Sequence, residues 1–205
     1  LFNRFDRLFG FECINCVMRA DWSCADVERR GKESGMKGVT LYSGLSQFYF
    51  RHLLRQIVKV GRLERPGITI LDFGCGRGEL KRLLVGAKVI GYDIIPEMSD
   101  IPDWRIADFD VLASNEVFYS FSEEALESLL LELKEKNPEL ELVVGISRQG
   151  LLNNIGKYLL GRPGAHSAAL LSPKKEASIL RKYFEVLDNK SFMALADFYW
   201  MRFKK

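Results

Sequence analysis

Asp72, Gly74, Gly76 and Gly78 combine residue types and a spacing that can bind a small ligand. Glycine accepts positive φ angles and lets a ligand lie against the backbone, so the spacing predicts a ligand-binding turn between a strand and a helix. Dinucleotide-binding folds place a further glycine three positions after the second one, beneath the pyrophosphate, but Glu79 stands there. Its carboxylate would repel phosphate, whereas Asp72 suits a ligand that carries a positive charge.

A second acidic residue, Asp93, ends the apolar segment Val89–Asp93 and lies 21 positions after Asp72. In nucleotide-binding α/β folds, an acid about 20 residues beyond the glycine turn binds the ribose hydroxyls. S-adenosylmethionine suits both acids, because it has a ribose, an ammonium and a sulfonium and no phosphate. The alternative is a plain turn and a strand-end aspartate without a ligand.

The segment Leu71-Asp72-Phe73-Gly74-Cys75-Gly76-Arg77-Gly78 resembles motif I of the class I S-adenosylmethionine-dependent methyltransferases. The resemblance runs from about Ile68 to the C-terminus and weakens after Ser147. It implies S-adenosyl-L-methionine as cofactor, with Asp72 attracting the ammonium through ordered groups and Asp93 accepting from the ribose hydroxyls. The implied cofactor-binding residues are Asp72, Phe73, Gly74, Cys75, Gly76, Asp93, Ile94, Asp103, Trp104, Ser114 and Asn115.

Several of these residues have a specific implied role. Gly74 and Gly76 would let the methionine part of the cofactor approach the backbone. Ile94 would contact one face of the adenine, and Asp103 with Trp104 would lie near the adenine edge.

Two stretches depart from the family pattern. Segment 94–109 has little room for the usual helix and third strand, and Pro96 and Pro102 argue against a full helix between them. Related small-molecule enzymes often have a histidine near the end of the loop after the fourth strand, where this chain has Ser120. The resemblance therefore supplies no general base. The fourth strand also lacks an Asn-Pro-Pro-Tyr-like sequence, which argues against DNA and protein-amide substrates.

Apolar strands that alternate with amphipathic helices from residue 45 onward predict an α/β fold. We expect a Rossmann-like, mostly parallel, seven-stranded-type sheet with helices on both faces and an N-terminal helical cap. Residues 1–44 would form the cap or lid segment, and residues 45–205 the S-adenosylmethionine-binding methyltransferase domain. The predicted helices begin at Ser43, after a Ser120-x-x-Glu123 capping box and at Ser172. The predicted strands cover 68–73, 89–93, the start of 110–119, 140–146, 184–187 and 194–203, with an antiparallel strand at the sheet edge.

The N-terminal segment carries two further patterns. Residues 1–11 are amphipathic at helical spacing, which indicates a helix docked on the body, or else a peripheral membrane contact or a substrate lid. Cys13, Cys16 and Cys24 make an incomplete zinc pattern, because zinc takes four ligands and no nearby fourth one follows. We therefore predict no metal site.

Charge and hydropathy indicate which partners and which cellular location to expect. A formal net charge of +3 is too small for a nucleic-acid footprint without a clustered patch, so no nucleic-acid partner is expected. No apolar run is long enough to span a bilayer and nothing resembles a signal peptide, which predicts a cytoplasmic protein. The oligomeric state does not follow from the sequence.

The expected activity is O-methylation of a small or lipid- or glycan-linked acceptor. Methyl transfer mainly requires that the acceptor be aligned with an activated carbon and sometimes that its proton be removed. The candidate acceptor-side residues are His166, Tyr42 and Tyr119, whereas His52 is predicted to be a hydrogen-bonded core histidine. The alternatives are a methyltransferase-like binding or assembly protein without turnover, and a protein or RNA methyltransferase.

Overall fold

The computed structural model describes residues 45–148, 170–193 and 195–205, in which helices and strands alternate. The helices are α1 (Leu45–Val60), α2 (Glu79–Leu83), α3 (Glu123–Lys136) and α4 (Pro173–Tyr183). The strands are β1 (Thr69–Phe73), β2 (Lys88–Tyr92), β3 (Val111–Asn115), β4 (Glu141–Ser147), β5 (Phe184–Phe192) and β6 (Ala196–Phe203). Short 3₁₀ turns cover Pro96–Met98, Trp104–Ile106 and Phe118–Ser120. The predicted α/β class is confirmed.

The described strands form one sheet in the order β2-β1-β3-β4-β6-β5. β1 to β4 are parallel, with Leu71 opposite both Ile90 and Leu112. β6 is antiparallel to both of its neighbours. The carboxyl ends of the four parallel strands therefore meet at one edge, which is where open α/β sheets bind their ligands.

Two apolar layers lie on opposite faces of the sheet. One layer packs the sheet against α3 and α4, and the other packs it against α1 and α2. Side chains alternate along β1, so Ile70 joins the α1 layer and Leu71 the α3 layer. The predicted inward positions of α3 are buried, namely Leu126, Leu129, Leu130 and Leu133. No helix in the described part of the chain is long and apolar enough to cross a bilayer.

Within the described residues the sheet has six strands, one fewer than the expected seven-stranded type. Segment 94–109 holds two 3₁₀ turns where the family's third strand would lie. Asp100 covers the open edge of β2 instead, because its N–H donates to Gly91 O at 2.9 Å and its Oδ2 accepts from Gly91 N at 2.8 Å. Ser99 Oγ accepts from Asp93 N at 3.1 Å. These contacts satisfy backbone groups that a further strand would otherwise pair.

The cap of α3 differs from the predicted one. Ser122 is the N-cap, and its Oγ accepts from Ala125 N at 3.2 Å. Ser120 ends the preceding 3₁₀ turn and donates its hydroxyl proton to Val117 O at 2.8 Å. The predicted capping box that starts at Ser120 is therefore wrong, whereas Ser172 caps α4 as predicted.

The antiparallel strand lies inside the sheet and not at its edge as expected. β6 is placed between β4 and β5, and its side chains alternate between buried and half-buried. β5 is the edge strand, and residues 185–191 on it are exposed. The apolar β6 sequence is suited to a strand covered on both faces, while the polar β5 sequence tolerates the edge.

His52 on α1 is half-buried beside the α1 layer. Its Nε2 lies 3.1 Å from Gln56 Nε2, and its ring centroid lies 4.7 Å from that of Phe192. These contacts agree with the predicted packed, hydrogen-bonded histidine.

Candidate functional site

The glycine turn after β1 has the backbone geometry that the sequence predicts. Gly74, Gly76 and Gly78 have φ angles of 80°, 51° and 72°, which other residues rarely adopt. The backbone N–H groups of Gly74 and Cys75 both donate to Tyr92 O, at 2.8 and 3.1 Å. The turn therefore ties together the carboxyl ends of β1 and β2.

Part of this turn is open to a ligand and part is covered. A Cβ at Gly74 would lie 2.4 Å from Cγ2 of Val117, so the loop after β3 fills the space beside it. A Cβ at Gly76 would meet no described atom within 4 Å. A ligand was expected to approach the backbone at both glycines. The structure leaves space for it beside Gly76, whereas Val117 occupies the space beside Gly74.

Asp93 lies directly after β2 and faces the turn. Its Oδ2 accepts from Gly76 N at 2.9 Å, and its Oδ1 accepts from Ile95 N at 3.0 Å. Each carboxylate oxygen has a second lone pair, so both can still accept a hydrogen bond from a hydroxyl. The neighbouring Ile94 side chain is 44 % exposed and offers an apolar surface next to these oxygens.

Asp72 is a buried carboxyl group near the end of β1, with 7 % of its surface exposed. Burial, together with the negative charges of Asp93 and Asp100, raises the pKa of Asp72 to about 7. No hydrogen bond from the described residues reaches its carboxylate. A cation placed beside Asp72 would supply the charge partner that this group lacks.

Cys75 shapes the turn as a neutral thiol. Its Sγ lies 3.3 Å from Met98 O, and a Cβ at Gly91 would lie 2.9 Å from Sγ. Burial and the neighbouring carboxylates raise the pKa of the Cys75 thiol to about 12. Because the thiolate is the reactive form, this raised pKa disfavours a nucleophilic role for Cys75 at neutral pH.

Glu79, at the position of the dinucleotide-fold glycine, is paired with two arginines. Its carboxylate contacts the guanidinium of Arg82, and its Oε2 lies 3.6 Å from Arg51 Nε. These arginines offset part of its charge. The acidic character of this edge therefore comes mainly from Asp72 and Asp93.

The three residues predicted to surround adenine differ in accessibility. Ile94 is exposed, and Asp103 is half-buried, with its Oδ1 accepting from Arg105 N at 3.0 Å. Trp104 is 1 % exposed and packs edge-on against Phe109, with ring centroids 6.4 Å apart. A ligand could reach the Trp104 ring only by displacing its neighbours, so the geometry favours Ile94 and Asp103.

The end of β3 carries polar atoms without partners. Ser114 is 1 % exposed, and neither its Oγ nor Oδ1 of Asn115 has a hydrogen-bond partner among the described residues. A Cβ at Gly145 would lie 2.4 Å from that Oδ1, so the Asn115 side chain lies over β4. Glu116 follows with a φ of 56°. Buried polar atoms without partners and positive φ angles are concentrated at functional sites in proteins.

Tyr119, a predicted acceptor-side residue, lies in the turn after β3. Its carbonyl accepts from Leu170 N and Leu171 N at 2.8 and 3.0 Å. Burial, with the nearby Glu116 and Glu176, raises the pKa of the Tyr119 phenol to about 12. At neutral pH this phenol is protonated, so Tyr119 can donate a hydrogen bond but is a poor base.

Glu176 on α4 is a buried carboxyl group that the sequence predictions missed. It is 2 % exposed, and its Oε1 has no partner among the described residues. Burial, and to a smaller extent Glu116, raises the pKa of Glu176 to about 8. Helical spacing could have revealed it, because Glu176 precedes the buried Ile179 and Leu180 by three and four positions.

Other predictions concern residues outside those described. These are Tyr42, His166, the zinc candidates Cys13, Cys16 and Cys24, the amphipathic segment 1–11 and the whole cap segment 1–44. Within the described ranges, no group of His, Cys, Asp and Glu side chains could hold a metal ion.

Comparisons with known proteins identify the fold. No protein-family model matches the chain, and no curated protein matches it. Among solved structures, magnesium protoporphyrin IX methyltransferase from Synechocystis PCC 6803 with bound S-adenosylhomocysteine is 18% identical, with a TM-score of 0.56 and coverage of 86% of this chain and 98% of that one. The N-methyltransferase NodS from Bradyrhizobium japonicum WM9, in complex with S-adenosyl-L-homocysteine, is 15% identical, with a TM-score of 0.54 and coverage of 76% and 87%. A small RNA methyltransferase is 14% identical, with a TM-score of 0.56 and coverage of 89% and 31%.

At these identities the likeness shows the fold, which is the one that class I methyltransferases share. The predicted resemblance is confirmed at that level. The three neighbours are named for different acceptors, so the fold does not select one.

Proposed function

We propose that this chain is a class I S-adenosylmethionine-dependent methyltransferase that binds its cofactor across the carboxyl ends of β1, β2 and β3. The observation that carries the proposal is the pair of carboxyl groups, Asp72 and Asp93, at two adjacent strand ends beside the open Gly76. The two neighbours with bound S-adenosylhomocysteine support the same cofactor.

The side chains at this edge fit the chemical groups of the cofactor. The buried Asp72 carboxyl would receive the ammonium, because a positive charge offsets the burial that now disfavours its ionised form. Asp93 would accept from the ribose hydroxyls through the lone pairs that Gly76 and Ile95 leave free. Ile94 would cover one adenine face. When bound, the cofactor supplies a methyl carbon activated by its sulfonium.

For the acceptor we propose a hydroxyl on a small or lipid- or glycan-linked molecule, held near the loop after β3. Tyr119 would donate a hydrogen bond that orients the acceptor oxygen, since its raised pKa keeps the phenol protonated. His166 and Tyr42 are the remaining candidates from the sequence for the acceptor side. Alignment of the oxygen with the methyl carbon is the main requirement of such a displacement.

The test begins with cofactor binding. Calorimetry with S-adenosylmethionine, S-adenosylhomocysteine and NADH should show binding of the first two and not of the third. Binding of NADH alone would overturn the proposal in favour of a dehydrogenase.

Turnover then separates an enzyme from a binding or assembly protein with the same fold. The full chain is incubated with methyl-labelled cofactor and a cell extract, and label is measured in protein, RNA, lipid and small-molecule fractions. Label in the lipid or small-molecule fraction supports the proposed acceptor class. Label in protein or RNA moves the acceptor to a macromolecule, and cofactor binding without label in any fraction supports the binding protein.

A further inference from the structure

A cavity of about 950 Å³ opens between α4 and the ends of β4 and β6, at the sheet edge where the parallel strands have their carboxyl ends. Ile146 and Arg148 line it from the carboxyl end of β4, and Asp197 and Tyr199 line it from β6. This volume lies in the range of pockets that hold small organic ligands, about 300–1,000 Å³. We call this cavity the α4 groove.

The α4 groove is basic, unlike the acidic edge around Asp72. Four basic side chains line it, namely Arg148, Lys174, Arg181 and Lys182, against one acidic side chain, Asp197. Clefts lined by charge of one sign raise the local concentration of ligands of the opposite sign. The groove is therefore suited to an anion, and the neighbouring edge to a cation.

The basic residues of the α4 groove differ in how far they are neutralised. Arg148 makes two hydrogen bonds of 2.6 Å to the Asp197 carboxylate, so this pair carries little net charge. Lys182 Nζ lies 2.9 Å from Glu127, outside the groove lining. The Arg181 guanidinium lies 5.5 Å from the centroid of the Tyr199 ring, and its charge helps to lower the pKa of Asp197, which already binds Arg148.

Lys174 makes no ion pair with any of the described residues and is exposed to solvent. It stands in the first turn of α4, where the helix dipole disfavours positive charge. The helix dipole disfavours the adjacent Lys175 in the same way, but the Glu123 carboxylate lies 2.7 Å from Lys175 Nζ and pairs with it. A bound anion would give Lys174 the partner that Glu123 gives Lys175.

We propose that the α4 groove binds a phosphate group on the methyl acceptor. The position of the groove suits this role. Asn115, at the end of β3, lies opposite Gly145 on β4, and the groove residues Ile146 and Arg148 follow Gly145 in the chain. An anion held by Lys174 and Arg181 leaves the other end of the molecule free to extend toward the β3 loop. This inference rests on the proposed methyltransferase function, because it places the bound group on the methyl acceptor. Anion binding itself can be measured without turnover.

The test uses inorganic pyrophosphate and phospholipid vesicles as probes of the full chain. Wild-type protein should bind pyrophosphate, or vesicles of phosphatidylcholine with phosphatidylglycerol in preference to pure phosphatidylcholine vesicles. Lys174→Glu should weaken that binding by about tenfold or more, because it replaces an attractive charge by a repulsive one, and Arg181→Ala should weaken it less. Lys88→Glu is the matched control, since Lys88 is an exposed lysine on β2, outside the groove.

Binding to pyrophosphate points to a soluble phosphorylated acceptor, and binding to anionic vesicles alone points to a lipid headgroup. Either result supports the inference if Lys174→Glu weakens the binding of that probe by about tenfold or more and Lys88→Glu leaves the binding unchanged. No binding of either probe, or equal losses in both variants, would overturn it. S-adenosylmethionine affinity, measured on the same proteins, should be equal in wild type and Lys174→Glu. Failure of the wild type to bind S-adenosylmethionine would count against the proposed function, whereas cofactor binding without anion binding would count against the α4 groove alone.

Discussion

Gly76 and Asp93, 17 positions apart in the chain, are joined by a hydrogen bond of 2.9 Å from the glycine N–H to Oδ2 of the carboxylate. This bond connects the turn after β1 to the acid after β2. The carboxylate that we expect to bind ribose therefore also holds the turn that a ligand would approach. Changes at Asp93 are expected to affect both.

Asp93→Ala should weaken S-adenosylmethionine binding by about 1.5–3 kcal/mol, the usual value for hydrogen bonds to a charged group. Faster amide hydrogen exchange at Gly76 should accompany the loss, because its N–H loses its acceptor. Calorimetry and exchange measurements check the two effects. Asp188→Ala, on the exposed edge strand β5, is the control and should change neither. An unchanged affinity in Asp93→Ala would remove this residue from the cofactor site.

Asp72 should make cofactor binding depend on pH. Its pKa is raised from 3.8 to about 7, so a bound cation that lowers this pKa must release a proton between those values. Affinity for S-adenosylmethionine should therefore increase as pH rises toward about 7 and level off above it. Calorimetry at pH 6 in buffers of different ionisation enthalpy measures the proton release, and Asp72→Asn should abolish it. Equal proton release by the wild type and this variant would show that another group is responsible.

Glu176 should make the folded state less stable as pH rises. The pKa of Glu176 is about 8 in the folded chain, against an ordinary value of 4.5 that applies to the unfolded chain. Between these two values the folded chain therefore binds more protons than the unfolded chain. The free energy of unfolding should then fall with pH across this window, by at most about 1.4 kcal/mol per pH unit, and be flat with respect to this group outside it.

Urea unfolding at pH 5, 7 and 9 measures this dependence for the wild type and for Glu176→Gln. The slope should be smaller in the variant, most clearly between pH 7 and 8, because the buried Asp72 contributes a slope of the same sign below about pH 7 in both proteins. Glu135→Gln, an exposed position on α3, should keep the wild-type dependence. If the free energy of unfolding of Glu176→Gln depends on pH as steeply as that of the wild type, the pKa of Glu176 is not raised by folding and the prediction is wrong.

Gly74→Ala and Gly76→Ala should differ in their cost to stability. Both place a side chain at positive φ, which costs about 1–2 kcal/mol. At Gly74 the new methyl also meets Val117 at 2.4 Å, and such overpacking adds about 1–3 kcal/mol. Thermal unfolding should therefore show the larger decrease in Tm for Gly74→Ala. The Gly76 variant should instead lose more cofactor affinity, relative to its change in Tm, and the reverse order would contradict the assignment of Gly76 as the open position.

His166→Ala tests whether His166 acts as the general base. If His166 removes the acceptor proton, turnover should fall by roughly 10²–10⁴ while S-adenosylmethionine affinity stays constant. Tyr119→Phe serves as comparison, because loss of a donor should change acceptor KM as well as turnover. Unchanged turnover in His166→Ala would leave alignment of the acceptor as the main source of rate.

The sequence by itself determined the features that depend on local chemistry. Positive φ angles at Gly74, Gly76 and Gly78 follow from residue type, because glycine has no Cβ. The bounds of α3 follow from its leucine spacing and from the Asn137-Pro138 pair that ends it. These signals lie within a few residues of each other, so no tertiary contact is needed to interpret them.

The tertiary structure alone decided the features that depend on packing between distant segments. The short segment 94–109 already indicated little room for a third strand, but only the tertiary structure showed that Asp100 covers the edge of β2 through its bond to Gly91. Trp104 became a core residue and Glu176 a buried acid because other elements covered them. Burial, and the pKa shifts that follow from it, arise from neighbours far away in the sequence, and residue spacing along the chain contains no information about which neighbours those are.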